Sequence, residues 1–194
     1  MNKRLLRTFI AVTVPKELLH VRDMLKTTIT YTKDNLRWVS NGQIHFTLKF
    51  IGHTPPEDLE RIHDVLSQVA DRHHSTDHLI SGTGCFPTAV RPRILWVGIT
   101  ENIDPLQRLV QDINTSLDSL GYMLESQEFI PHITLARIKY PPKMTPDITR
   151  YLQAEFTPMP MKVERLSLFS SELTPRGPVY TKQNNYHLLP PKSQ

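Results

Sequence analysis

Ile44-His45-Phe46-Thr47-Leu48-Lys49-Phe50 is echoed later in the chain by Pro131-His132-Ile133-Thr134-Leu135-Ala136-Arg137. The shared core is His-x-Thr-Leu, and the copies lie 87 positions apart (132 minus 45), a little under half of 194 residues. Both stretches have the β-branched and aromatic content of strands. A unit repeated at that spacing points to one supersecondary element used twice, giving two lobes that face each other. In a strand, residues i and i+2 point to the same side. His45 and Thr47 then share one face, with Phe46, Leu48 and Phe50 opposite; His132 and Thr134 repeat this over Ile133 and Leu135. The apolar faces are expected to pack under helices and the His/Thr faces to line a cleft.

Strict alternation also puts Lys49 in phase with His45 and Thr47, within reach of an anion in that cleft. Arg137 has the chemistry of a phosphate clamp, but alternation sends it to the face opposite His132. It joins the site if the strand ends or bulges near Ala136, or if the side chain wraps round an edge.

Outward from the motifs, strands and helices alternate. Arg7 to Val14 reads as a strand ended by Pro15, and Leu18, Val21, Leu25 and Ile29 follow at helical spacing. Leu36 to Val39 and Ile44 to Ile51 read as strands around a Ser40-Asn41-Gly42 turn. Thr54-Pro55-Pro56-Glu57 has capping-box order, ahead of a stripe of Leu59, Ile62, Leu66 and Val69. Leu79 to Phe86 pairs with Ile94 to Ile99 as a hairpin. A third helix is capped by Asp104, opened by Pro105, lined by Leu106, Val110, Ile113 and Leu117, and stopped by Gly121. Strands are expected near Tyr122 to Glu125, Phe129 to Ile138, Val163 to Phe169 and Val179 to His187, with a short helix after Thr145-Pro146. The predicted fold is α+β: two pseudo-symmetric lobes, each an antiparallel sheet with helices on its outer face, and an active-site cleft between them. Residues 1–194 read as a single bilobal domain, with motif 1 at 45–48, motif 2 at 132–135 and a loose tail at 190–194. Nothing argues for more than a monomer.

Composition narrows the function classes. The net charge of +4 suits an anionic ligand such as RNA. A single cysteine, Cys85, excludes an internal disulfide and a multi-cysteine zinc site. Met1-Asn2-Lys3-Arg4 is basic, but the segment after it is broken by Arg7, so it does not read as a signal peptide. No apolar run approaches the roughly 20 residues that span a bilayer. A cytoplasmic location without membrane partners is the expectation.

Opening a cyclic phosphodiester explains why a strand would present His and Thr to a groove. The reaction needs a base to activate water and an acid to protonate the departing ribose oxygen. Histidine, with an ordinary pKa of about 6.5, serves in either state near neutral pH. Two histidines on opposite sides of a phosphorus suit in-line displacement, and each Thr hydroxyl can donate to a non-bridging oxygen.

The other candidates have plainer readings. Arg72-His73-His74-Ser75-Thr76-Asp77-His78 is polar and follows a helix, which fits a solvated connection better than a metal site. His53 reads as a loop residue. Arg91-Pro92-Arg93 is either an RNA contact or an ordinary turn. Trp38 and Trp96 stand in apolar strands and read as core, with base stacking open to an exposed ring. Three functional alternatives stand beside the cyclic phosphodiester reading. They are a non-catalytic RNA-end-binding module, a metal-dependent phosphoesterase using His45, His132 and a carboxylate such as Glu128, and the same chemistry on a small cyclic nucleotide.

The chain resembles the 2H phosphoesterases, and within them the RNA 2′,3′-cyclic phosphodiesterase branch historically called 2′-5′ RNA ligases. Leu36-Arg37-Trp38-Val39 ahead of His45 to Gly52 is similar to that branch's first signature, and Pro131 to Arg137 to its second. Arg91 to Gly98, and Ser171-Glu172-Leu173 with Pro178-Val179-Tyr180, extend the likeness over nearly the whole chain. The resemblance implies two lobes about a pseudo-twofold axis, a positively charged cleft and no metal or other cofactor. It implies hydrolysis of a terminal 2′,3′-cyclic phosphate of RNA to a 2′-phosphate, with tRNA fragments among the candidate substrates. Some members join RNA halves through a 2′-5′ bond in the reverse sense. By the same likeness His45 is the proton donor to the 3′ oxygen, His132 the acceptor from water, and Arg137 a phosphate contact beside Thr47 and Thr134.

Overall fold

A computed structural model of the protein describes residues 5–31, 35–124, 128–139, 145–174 and 177–191. Its strands are β1 (Leu6–Thr13), β2 (Leu36–Trp38), β3 (His45–Thr54), β4 (Thr76–Phe86), β5 (Ile94–Thr100), β6 (His132–Ile138), β7 (Met159–Val163), β8 (Arg165–Thr174) and β9 (Gly177–His187). The helices are α1 (Leu18–Lys26), α2 (Leu59–Ala70), α3 (Ile103–Asp118) and α4 (Thr149–Leu152). The strands hydrogen-bond in the order β7-β4-β5-β6-β3-β1-β8-β9, with β2 added on β6. Every pairing between these strands is antiparallel.

The order is symmetric about its centre. β3 and β6 carry the two His-x-Thr motifs and lie side by side, β1 and β5 flank them, and β8 and β4 come next. The chain unit β1-α1-β3 is thereby matched by β5-α3-β6, the duplication expected from the repeat. One residue pair, Phe46 with Ile133, joins β3 to β6, and β2 crosses from the first half to pair with β6. Pro131 has no N–H to extend that ladder, and beyond the pair the strands part.

Both motif strands bulge at the same point. In β3, Thr47 sits opposite Ala11 but Lys49 opposite Ile10, so Leu48 is an extra residue. In β6, Thr134 sits opposite Trp96 but Ala136 opposite Leu95, so Leu135 is extra. A bulge inserts one residue, resets the alternation and increases the local twist. It corrects two expectations and meets the condition set for a third. Lys49 turns into the core, where it is 2% exposed, rather than into the cleft. Phe50 turns out of the core face and is 60% exposed. Arg137 returns to the face of His132 and Thr134, through a bulge one residue earlier than Ala136.

The opposite face of the sheet is covered by helices. Leu18 and Leu25 of α1, Ile62, Leu66 and Val69 of α2, and Leu106, Val110, Ile113 and Leu117 of α3 join Ile10, Phe46, Leu48, Val97, Ile133 and Leu135 in one apolar cluster spanning both halves. The helix stripes match the sequence pattern, but the helix ends differ from it. Thr54 does not cap α2; its hydroxyl is buried against that of Thr8 at 2.6 Å. Asp104 lies in the first turn of α3, and the cap position is Asn102, which with Glu101 takes positive φ (48° and 60°) to turn the chain out of β5. β7 has no counterpart as a separate strand in the sequence reading. Residues 122–124 form no strand, and Glu125 lies outside the described residues. Of the segment read as a tail, Pro190 O accepts from His74 Nδ1 at 2.5 Å, and residues 192–194 lie outside the described set. No described helix is long and apolar enough to cross a membrane.

Candidate active site

The bulged strands hold four side chains around one point. With Phe46 opposite Ile133 in antiparallel register, Thr134 falls beside His45 and His132 beside Thr47 on the open face. The two histidines are then diagonal neighbours across the strand pair. All four line a cavity of about 700 Å³ that also takes in Arg37, Trp38, Gln43, Phe50, Phe86, Glu128, Ile130, Arg137 and Tyr180.

The imidazoles are held alike. His45 Nδ1 donates to Gln43 O at 2.7 Å, and His132 Nδ1 donates to Ile130 O at 2.8 Å. In each motif the partner is the carbonyl two residues back, so each ring keeps Nδ1 protonated and leaves Nε2 for chemistry. Gln43 is itself fixed, its side-chain Nε2 donating to Pro178 O on β9. Aromatic rings support both. His45 lies 4.9 Å from Phe9 and 5.4 Å, edge-on, from Tyr180. His132 lies 4.9 Å, edge-on, from Phe86 and 6.1 Å from Trp96.

That enclosure sets the electrostatics. Burial pushes both histidines below the ordinary imidazole pKa; the Nδ1 hydrogen bonds act against it, and the Arg137 guanidinium reinforces it. One cation thus bears on both rings. Arg137 also stands directly opposite Arg37 of β2. Like charges across a strand pair repel, and a bound anion would relieve that repulsion. Arg37 rests against Gly177, whose φ of +120° suits glycine.

The remaining candidates sort themselves by position. Lys49 Nζ donates to Asn114 Oδ1 on α3 at 2.6 Å and to Met123 O at 3.0 Å; it braces the wall of the cavity instead of offering its charge to the cleft. His78 is buried inside β4, between Thr76 Oγ1 and Glu101 O, rather than in a solvated connection. His73 Nε2 meets Asp112 at 2.9 Å. His53 belongs to β3, not to a loop. Arg91 and Arg93 form a turn, their amides donating to Thr88 O and Phe86 O, and neither lines the cavity. Trp96 is not core: it pairs with Thr134 on the open face. Phe9, Phe86 and Gln43 join the site without having been singled out from the sequence, and Tyr180, quoted there only for the family likeness, lines the cavity. Glu128 lines the cavity. Among the described residues no three His, Cys, Asp or Glu side chains converge as metal ligands.

Comparison with known proteins places these features in context. Residues 27–175 match the 2′-5′ RNA ligase superfamily. An RNA 2′,3′-cyclic phosphodiesterase of Thermotoga maritima is 32% identical over 90% of this chain and 91% of its own. The crystal structure of TT0787 of Thermus thermophilus superposes with a TM-score of 0.77 at 28% identity, over 94% of this chain and 97% of that one. Escherichia coli LigT, crystallised with 3′-AMP, has the same fold, with a TM-score of 0.74 at 19% identity over 95% and 98% of the two chains.

Proposed function

Because the chain belongs to the 2′-5′ RNA ligase superfamily, in the RNA 2′,3′-cyclic phosphodiesterase branch of the 2H phosphoesterases, we propose that it opens the terminal 2′,3′-cyclic phosphate of RNA to a 2′-phosphate without a metal. The observation that carries this is the matched setting of His45 and His132, each with Nδ1 on a carbonyl and Nε2 left for the substrate.

His132 Nε2 takes a proton from water as the water oxygen bonds to phosphorus. The P–O3′ bond breaks on the far side, and protonated His45 gives its Nε2 proton to O3′. The products are a 2′-phosphomonoester and a free 3′-hydroxyl, and exchange with solvent restores the two rings. Thr47, Thr134 and Arg137 hold the non-bridging oxygens, where negative charge gathers in the transition state. An RNA 5′-hydroxyl in place of water would leave a 2′-5′ bond by the same step. Thr occupies the positions where a metal site would want acidic ligands. Both motifs come from one chain, so the site is complete in a monomer. RNA with a cyclic phosphate end, tRNA fragments included, is the partner this site suits, and a cytoplasmic location follows from that partner.

The test is hydrolysis of a short RNA ending in a 2′,3′-cyclic phosphate, in EDTA, by wild type, His45→Ala and His132→Ala. A 2′-phosphate product, resistant to a 3′-specific phosphatase, with both variants down about a hundredfold or more, upholds the reading. A wild type that binds this RNA and leaves the ring closed would make the protein an end-binding module.

A further inference from the structure

Two open sheet faces flank the cleft, and they are chemically unlike. On the half built around His45, cross-strand rows run outward: Thr47-Ala11-Ser167-Asn185, then Phe50-Phe9-Phe169-Lys182, then His53-Arg7-Ser171-Tyr180. Directly opposed residues share a face, so these rows form one face of the sheet, on which Ala11, Ser167 and Phe9 are buried and Phe50 is exposed. Its middle row is a line of rings. Phe50 lies 6.1 Å from Phe9, Phe9 stacks on Phe169 at 5.3 Å and 15°, and Lys182 Nζ sits 6.0 Å over Phe169. Tyr180 leans onto Phe9 at 5.0 Å, close enough to Arg7 to feel its charge. No Asp or Glu stands in these three rows.

The half built around His132 has rows of His132-Gly98-Ser81, Thr134-Trp96-Gly84 and Arg137-Ile94-Phe86. Past them come Leu79 with Pro160 and, at the rim, Asp77 with Lys162. Once clear of the cleft this face is small and neutral, and its outer lysine is balanced by a carboxylate.

We propose that the RNA leading up to the cyclic phosphate leaves the cleft across the open face of the His45 half, its phosphates on Arg7 and Lys182 and its bases against Phe50 and Phe169. The inference rests on the reading that the substrate is an RNA end, and it adds the direction in which the chain runs. Rings that accept any base, set among cations with no carboxylate between them, are what a single strand needs for binding without sequence preference. Four strands about 4.8 Å apart span roughly 15 Å, room for roughly two or three nucleotides beyond the reacting one. A small cyclic nucleotide has nothing to lay on that surface.

The experiment compares Arg7→Ser, Lys182→Ser and their double variant with Lys162→Ser on the opposite rim. Each is assayed on adenosine 2′,3′-cyclic phosphate and on RNA oligomers of increasing length with the same end. The double variant is expected to lose about tenfold in kcat/KM on the longer oligomers. Its dependence of log kcat/KM on log salt should be shallower by about 1.4, for two lost single-strand phosphate contacts. The mononucleotide rate should hold, and Lys162→Ser should alter neither substrate. Equal losses on both substrates, unchanged oligomer rates, or an oligomer loss in Lys162→Ser instead would each overturn the proposal. A wild type that opens no cyclic phosphate sinks the activity reading separately. Fluorescence anisotropy of a labelled RNA 3′ end, with the same variants, then decides the path alone.

Discussion

Leu48 and Leu135 hold the same place in two copies of one motif, and each is the extra residue of a β-bulge. The bulges keep the His-x-Thr faces alike and make the next positions differ. Lys49 and Ala136 go into the core, while Phe50 and Arg137 come to the open face. About the centre of the cleft the arrangement is thus symmetric in its histidines and threonines and asymmetric beyond them, with a guanidinium on one side and an aromatic ring on the other. A substrate that is itself asymmetric, a phosphate with RNA on one side only, meets a site able to orient it.

Lys49 separates the bulged geometry from the alternating one. Its Nζ is buried between Asn114 Oδ1 and Met123 O. Lys49→Met keeps most of the stem's packing and leaves those two acceptors short of a donor, at a cost of about 1–3 kcal/mol. The urea midpoint should fall accordingly, while KM for the cyclic phosphate stays within about twofold in the folded enzyme. A lysine on the phosphate would behave the opposite way, raising KM about tenfold or more on removal with little change in stability.

Arg137→Gln should shift both histidines in one direction. The guanidinium lowers each imidazole pKa on top of burial, so its removal lets both rise. Two-dimensional NMR titration of the ring protons should show both midpoints moving to higher pH. The pH profile of kcat/KM, bounded by the acid and the base of the free enzyme, should move to the alkaline side while its maximum falls. A shift in one histidine alone would mean that Arg137 does not stand between them.

Much of this was legible, because side-chain periodicity is local. The His and Thr positions, the helix stripes and the repeat follow from spacing alone, and the topology bears out two units related by symmetry. What spacing could not reach was where the pleat resets. Nothing in His-x-Thr-Leu marks Leu48 or Leu135 as unpaired, since a bulge answers to the twist the neighbouring strand imposes. Alternation therefore assigns Lys49, Phe50 and Arg137 each to the wrong face, or to the right one only conditionally. Phe9 and Trp96 were hidden for a related reason: an aromatic in a strand looks like core until one knows which face lines the cleft. β7 escaped because Pro160 argues against a strand, and it is tolerated there at the sheet's edge.

The same pKa shifts fix how stability depends on pH. Both histidines are depressed in the folded state by burial, so below the unfolded-chain value of about 6.5 the unfolded chain binds more protons. Their contribution is fully present above that pH and is lost as the pH falls through the folded values. Urea midpoints measured downward from pH 7.5 should decline through this window. In the His45→Asn, His132→Gln double variant the decline should be shallower, and an unchanged slope would place the responsible groups elsewhere.

Gly84 lies against the Trp96 ring, one step removed from the cleft. The Trp96 ring lies flat over it, so that a Cβ at residue 84 would stand 2.2 Å from the indole. The same ring is 6.1 Å from His132 and 5.2 Å from Phe86, which makes it part of the floor under the His132 imidazole. Gly84→Ala must lift that floor, because the backbone of β4 is laddered to β5 here and anchored next door by Thr83 Oγ1 donating to Tyr151 O, and the ring is the part free to move. Overpacking of this kind costs about 1–3 kcal/mol. At temperatures where the variant is still folded, kcat should fall while KM changes little, and the NMR midpoint of His132 should move while that of His45 stays. Trp96→Phe in the Gly84→Ala background removes the clashing half of the indole and should recover part of both losses. A variant that loses stability with kcat and the His132 midpoint intact would reduce Trp96 to packing.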